Sequence, residues 1–351
     1  MQKTKNTVLL IFGGRGAEHD VSKMSAEYLF TLLDREAFEV IPIFITREGR
    51  WLKLDTPKIS GEHDTEDLRE VHLGQRQGVG GITEGNKFTR VDAAFPILHG
   101  DFGEDGVVQG ALENAKIKFV GSDNYSGPIT MDKAFTKIIA ERLGIPTARF
   151  VLGIDGAQSY SKEETLNRAE RLFGYPMFIK PSRLGSSIGA GRACGREEAS
   201  ALYDKALEYS PRVLIEELVD IDKEVECAYF KVKNKEIITD LAEISCSFGF
   251  YDYDKKYLGQ SGASLSPTAD TSRRIREAVK GYTKLLAEYI GVRHLGRFDF
   301  FITRDGRILF NEINAIPGVT VGSLYPALLE KSGITAADAV NLMIKDALRL
   351  I

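Results

Sequence analysis

The chain has 351 residues, a net charge of -4, 43% hydrophobic and 27% charged residues; it exceeds one ordinary core and has the balance of a soluble enzyme of two or three domains. No basic block is present, which removes the electrostatic case for nucleic acid or a membrane as partner, and the apolar run at 8–12 is too short for a signal peptide or a span. Cys194, Cys227 and Cys246 are odd in number, widely spaced and without a CxxC, so they read as reduced thiols of a cytoplasmic protein.

In chain order, residues 7–12 read as a buried strand, 13–16 as a tight turn, 21–33 as a helix and 38–46 as a second strand, an α/β start with a parallel sheet. Residues 47–90 are polar and weakly periodic and read as a variable excursion. A strand at 91–98 then leads into the loop His99-Gly100-Asp101-Phe102-Gly103-Glu104-Asp105-Gly106, at a strand's carboxyl end where open α/β sheets bind ligands. A helix over 131–143 carries Asp132 and Lys133 in its first turn. It is followed by a strand at 149–153, a helix at 162–173 and a strand at 177–180. The segments 213–217, 224–231 and 236–245 read as strands. A long polar loop at 247–270 precedes a helix at 271–290.

Two glycine-rich turns invite a ligand. Gly14-x-Gly16 has His19 where a dinucleotide fingerprint has its third glycine, and no acidic residue ends the second strand, which argues against a nicotinamide site; Glu18, His19 and Ser22 still flank a good anion or substrate turn. In the second, Lys180 precedes Gly185-Ser186-Ser187-Ile188-Gly189, the reverse of a P-loop. It reads either as an ordinary hairpin loop or as a flap whose N–H groups and hydroxyls fold over phosphates while Lys180 supplies a point charge.

The strongest single feature is the hairpin 296–314. A two-residue turn at Asp305-Gly306 sets Asp299 opposite Glu312 and Arg297 opposite Asn314, with all four side chains on one face. Facing carboxylates cost stability unless a cation lies between them, and two carboxylates with an amide oxygen suit Mg²⁺. Arg297 beside them suits phosphate.

Gly13-Gly14-x-x-x-Glu18-His19-x-Val21-Ser22, Leu98-His99-Gly100-x-x-Gly103-Glu104-Asp105-Gly106, Met131-Asp132-Lys133, Lys180-Pro181 with Gly185-Ser186-Ser187, Tyr251-Asp252-Tyr253 with Lys256-Tyr257, Arg297-x-Asp299 and Asn311-Glu312-x-Asn314-x-x-Pro317-Gly318 follow one another along the chain. Together they resemble the D-alanine–D-alanine ligases of the ATP-grasp superfamily. The resemblance implies a Rossmann-like N-terminal substrate domain (1–121), a central ATP-grasp subdomain (122–215) and a C-terminal one (216–351) with a lid loop at 247–270. It implies a cytoplasmic homodimer that uses ATP and Mg²⁺, with Mn²⁺ able to stand in, to phosphorylate one D-alanine and couple it to a second, a step in peptidoglycan precursor synthesis.

By the same resemblance, Asp299, Glu312 and Asn314 hold the metal. Lys133, Lys180, Ser187, Glu216, Glu224 and Lys256 contact the nucleotide, the two glutamates at adenine and ribose. Arg297 and the N–H of Gly318 stabilise developing charge. Glu18, linked to Ser186 and Tyr257, holds the first D-alanine; Ser323 binds the second, and His99 lies near the reacting groups. Residues 122–130, Ala315 and 265–269 depart from the family pattern and bear on acceptor choice, for which D-serine and D-lactate are the alternatives; Tyr257 argues for a dipeptide over a depsipeptide. A nucleotide-binding regulator without turnover has little need of Asp299, Glu312, Asn314, Arg297 and Lys256 together.

Overall fold

The computed structural model describes residues 5–54, 59, 68–185, 188–246 and 263–350, apart from the side chains at 245–246 and 263–265. The first sheet has the order β4-β3-β2-β1-β8-β9, built from β1 (Asn6–Gly13), β2 (Phe38–Ile45), β3 (Trp51–Lys53), β4 (Arg69–Glu70), β8 (Ala93–Pro96) and β9 (Lys118–Phe119). Its β2-β1-β8-β9 portion is parallel, as expected. Val8 to Phe12 are fully buried, since a parallel strand is covered on both faces and needs a continuous apolar run. Helix α1 (His19–Leu32) follows β1, and α2 (Val107–Asn114) follows the 99–106 loop.

Most of the described residues of the excursion expected at 47–90 are instead in strands. β3 and β4 extend the first sheet antiparallel, while β5 (His72–Arg76), β6 (Val79–Glu84) and β7 (Lys87–Arg90) form a separate three-stranded sheet. These strands are short and mostly half-exposed, so their alternation is too weak to register as a pattern.

The chain then breaks into α3 (Ser126–Met131) and α4 (Lys133–Arg142), not one helix from 131. Asp132 is the break: extended in backbone, it caps α4 by accepting from the N–H groups of Ala134 and Phe135. A four-stranded antiparallel sheet follows in the order β10-β13-β11-β12, comprising β10 (Phe150–Ile154), β11 (Met177–Pro181), β12 (Gly191–Ala193) and β13 (Arg212–Glu217). Helices α5 (Lys162–Leu172) and α6 (Arg196–Leu207) cover it.

The third sheet is antiparallel, in the order β16-β15-β14-β17-β18: β14 (Ile221–Val232), β15 (Lys235–Cys246), β16 (Ala263–Ser266), β17 (His294–Thr303) and β18 (Ile308–Asn314). β16 corrects the expected lid at its far end, because 263–266 pairs with β15; residues 247–262 lie outside the described residues. Helix α7 (Arg273–Ile290) is capped by Ser272 and ended by Gly291. It presses Val279, Thr283, Leu286, Ala287 and Ile290 onto the sheet face that carries Val225, Cys227, Phe298 and Phe300. The other face carries Glu226, Arg297 and Asp299 at one end and the buried Ala228, Phe230 and Leu295 at the other. Helices α8 (Leu324–Lys331) and α9 (Ala336–Ala347) close the chain, and their apolar residues share one core with Val8, Leu10, Phe12 and Phe95 of the first sheet.

Candidate active site

The β17–β18 hairpin places its polar residues as the sequence predicts, by a different route. Three residues, not two, bridge Thr303 and Arg307, with Gly306 at φ +79° and its N–H donating to Thr303 O at 2.8 Å. This shifts the register by one near the turn, pairing Phe300 with Phe310, and a β-bulge at Asn311 shifts it back. Asp299 therefore does face Glu312, and Arg297 faces Asn314. The bulge also lets Asn311 reach Lys180, whose Nζ donates to Asn311 Oδ1 at 3.3 Å.

Glu226 on β14 pairs with Asp299, so Glu226, Asp299 and Glu312 form a row of carboxylates across three strands. The row is offset, to within one charge, from within the protein. Arg297 clasps Asp299 with Nε and Nη2 at 2.8 and 2.7 Å and lies 3.1 Å from Glu226, while Lys133 Nζ lies 2.9 Å from Glu312. Burial lowers the Arg297 pKa, but Asp299 and Glu226 outweigh it and hold the guanidinium charged. Asn314 donates to Asp299 at 3.1 Å. Glu224, two residues before Glu226, is half-buried along the same strand.

The second sheet contributes the opposite wall. Lys180 and Glu216 share a face of β11 and β13, and Lys180 Nζ lies 2.8 Å from Glu216 Oε2. Glu216 Oε1 lies 2.8 Å from Lys137 on α4. Burial alone would raise the Glu216 carboxyl; Lys137 and Lys180 override it and hold it at about 2. Burial lowers the Lys180 pKa, against the pull of Glu216. Lys133 also donates to Leu184 O at 2.8 Å, and its own N–H donates to Ser182 O at 2.9 Å, so the start of α4 holds the base of the 182–190 loop. The lysine-rich wall has the charge to receive phosphate, and the carboxylate row the charge to receive a cation.

The first sheet supplies the third side. The Glu18 carboxylate lies against Gly100 and Gly185: a Cβ on Gly100 would fall 2.5 Å from Glu18 Oε2, and one on Gly185 3.2 Å from it. His99 is buried with both ring nitrogens engaged, Nδ1 donating to Ile316 O and Nε2 accepting from Ser25 Oγ, each at 2.9 Å. Burial lowers its pKa, Glu18 raises it and Arg297 lowers it, so the neutral ring lies within the field of both charged groups. Glu104 accepts from the N–H groups of Gly100 and Ile316, and burial lifts its carboxyl to about 7. His99 and Glu104 together grip the backbone of Ile316 and so fix the 315–323 loop. In that loop Ser323 lies near Gly318, 3.6 Å from where a Cβ would stand, and accepts from the Thr320 N–H.

Ser186, Ser187, Lys256 and Tyr257 lie outside the described residues. Lys137 and Glu226 are contributors that sequence reasoning missed, while Asn311 and Glu104 entered it as motif residues without a role. Lys137 could have been found from its i+4 spacing to Lys133, and Glu226 from its alternation with Glu224. Among the described residues no three His, Cys, Asp or Glu side chains converge on a metal position. No described helix is long and apolar enough to cross a membrane.

Residues 7–122 match the family model described as D-ala D-ala ligase N-terminus, and residues 139–345 the one described as D-ala D-ala ligase C-terminus. The chain is 36% identical over 353 residues to a D-alanine–D-alanine ligase of Caldicellulosiruptor bescii, covering 98% of this chain and 96% of the relative. It is 34% identical to a D-alanine–D-alanine ligase of Lactobacillus acidophilus, covering 97% and 94%. Among solved structures it resembles the VanG D-Ala:D-Ser ligase from Enterococcus faecalis, with TM-score 0.88 and 31% identity over 98% of this chain and 100% of that one. D-alanyl-alanine synthetase A from Vibrio cholerae gives 0.85 and 27%, covering 99% of both chains.

Proposed function

We infer, from a chain that belongs to the D-alanine–D-alanine ligase family and has its ATP-grasp architecture, that it joins two D-alanines to D-alanyl-D-alanine at the expense of ATP, supplying a peptidoglycan precursor. One observation carries this: Lys180 of the second sheet, Lys133 of α4 and an arginine-clasped carboxylate row on the third sheet converge beside the Glu18 turn of the first. A carboxylate is a poor electrophile. Transfer of the γ-phosphoryl group to a D-alanine oxygen, with ADP leaving, gives an acyl phosphate; the second amine then attacks the acyl carbon and phosphate departs. Catalysis of both steps rests on placing charge and excluding water.

In this reading Glu18 holds the ammonium of the first D-alanine, and Ser186 and Tyr257 latch to it. Lys133, Lys180, Ser187 and Lys256 receive the phosphates, and Glu216 and Glu224 lie toward adenine and ribose. Arg297, oriented by Asp299 and Glu226, meets phosphoryl charge with its planar fork. The Gly318 N–H completes an oxyanion site, and Ser323, at the start of α8, takes the second carboxylate. His99 acts by fixing the 315–323 loop through Ile316.

The donor set of Asp299, Glu312 and Asn314 fits Mg²⁺ or Mn²⁺, being hard oxygens on one strand-pair face with Arg297 and Lys133 already offsetting their charge. Bound there, the ion would neutralise the polyphosphate. The units proposed are 1–121, 122–215 and 216–351, working in a cytoplasmic homodimer. The free thiols Cys194 and Cys227 accord with a reducing compartment.

Offering D-alanine alone, or with D-serine or D-lactate, and identifying products by mass tests acceptor choice. D-alanyl-D-alanine should dominate every mixture; a mixed dipeptide or depsipeptide as main product would overturn the assignment.

A further inference from the structure

Lys137 has no part in the roles set out above, yet it is among the largest fully buried side chains of the chain. Burying an ammonium sacrifices hydration and rotamer freedom, and an apolar residue of similar length would fill the same space without that cost. Its Nζ lies 2.8 Å from Glu216 Oε1 and donates to the carbonyl of Phe310 at 3.4 Å. Glu216 is therefore one carboxylate between two ammoniums, with Lys137 on one oxygen and Lys180 on the other.

The two lysines are not equivalent. Lys137 sits mid-helix in α4, its side chain 1% exposed and tied to the β18 backbone. Lys180 is at the end of β11, 10% exposed, next to the loop that starts at Ser182 and close enough to Lys133 and Lys137 to feel both charges. If either ammonium leaves Glu216, it is Lys180. A buried carboxylate that loses its sole counter-ion is strongly disfavoured, so a one-to-one Lys180–Glu216 pair would resist opening.

We propose that Lys137 is a positioning residue for ATP: it is the resident counter-ion of Glu216, and it frees Lys180 to turn from the carboxylate to the nucleotide's phosphates. The inference rests on the ATP-dependent reading above. With Lys137 in place, Glu216 stays neutralised whether Lys180 is on it or on ATP. The same exchange gives Glu216 Oε2 a free lone pair for the adenine edge as Lys180 departs, so the two contacts are made together.

The test is MgATP binding by titration calorimetry, with steady-state kinetics alongside, on wild type, Lys137→Met, Lys137→Arg, Glu216→Gln and the double variant Lys137→Met/Glu216→Gln. Lys137→Met should weaken ATP binding by about 10-fold or more, as expected for leaving one lysine to serve both anions, while kcat at saturating ATP falls less. Lys137→Arg should stay nearer wild type. In the Glu216→Gln background, adding Lys137→Met should change the affinity by less than about twofold, because no carboxylate remains to hold Lys180. That last comparison decides the matter even if the single Met variant does not fold, since a merely structural lysine would be missed equally in both backgrounds. A folded Lys137→Met that binds ATP like wild type, or an undiminished loss in the Glu216→Gln background, overturns the proposal. Failure of wild type itself to bind ATP would instead overturn the functional reading.

Discussion

Arg297 has two acidic partners, and that decides what its neighbours can tolerate. Asp299 holds the guanidinium by two hydrogen bonds, while Glu226 lies 3.1 Å away on the next strand. Asp299→Asn removes one charge and leaves Arg297 compensated by Glu226, so the fold should survive with a cooperative melt. Turnover should fall by about 100-fold or more, the scale for losing a charge that organises phosphoryl transfer. Steady-state rates and a melting curve check this, and unchanged turnover would remove Asp299 from the metal set. At this scale the sequence was legible where chemistry is unusual for its setting, as with four polar residues on one face of an otherwise apolar hairpin. It was illegible where burial arises from another element. The i+4 spacing puts Lys137 on the helix face of Lys133, but nothing local marks it as buried and not solvated until β13 and β18 close over it. The facing carboxylates read as a demand for a metal, yet Arg297 and Lys133, brought from outside the pair, already offset them.

At the scale of elements, register was predicted through a turn of the wrong length. The alternation of buried Phe298, Phe300 and Ile302 with Arg297, Asp299 and the half-buried Phe301 pins which face is covered, and any net slip by one residue would turn Glu312 and Asn314 into the core. A three-residue loop therefore requires a compensating bulge, and the bulge falls at Asn311, where it adds a ligand for Lys180. The α3–α4 break was missed because the cap is also a tertiary anchor: Asp132 accepts from Ser182 Oγ at 2.7 Å and lies 3.2 Å from Arg212 as well as capping α4. Asp132→Ala should cost about 2–4 kcal/mol, a lost cap plus a stranded buried partner, and should raise the KM for ATP because Lys133 is the next residue. Denaturant unfolding and ATP titration check both effects; a stability loss with unchanged KM would detach the cap from the site. The strands of 69–90 were illegible for a plainer reason: they are short and half-exposed, so neither period stands out.

Across the whole molecule, the chain closes on itself. The apolar residues of α8 and α9 share a core with the first sheet, and His99 and Glu104 reach from that sheet's loop to Ile316, 217 and 212 residues along the sequence. The turn at Glu18 is thereby fixed against the loop that carries Gly318 and Ser323, while α4 ties the lysine wall to the carboxylate row through Lys133 and Glu312. The ordered motifs made this assembly legible in outline, since those around Gly14, His99, Lys133, Lys180 and Asn314 lie at strand ends or helix starts; the long-range grips on Ile316 depend on packing that no local pattern records. Three walls converging on one cleft should couple nucleotide cleavage to acceptor chemistry. The most direct test is phosphate release from MgATP by purified protein with no amino acid, with D-alanine and with L-alanine, set against dipeptide counted by mass. The account predicts release only with D-alanine, one phosphate for each D-alanyl-D-alanine formed; release without D-alanine, or ATP binding with no release under any condition, would contradict it.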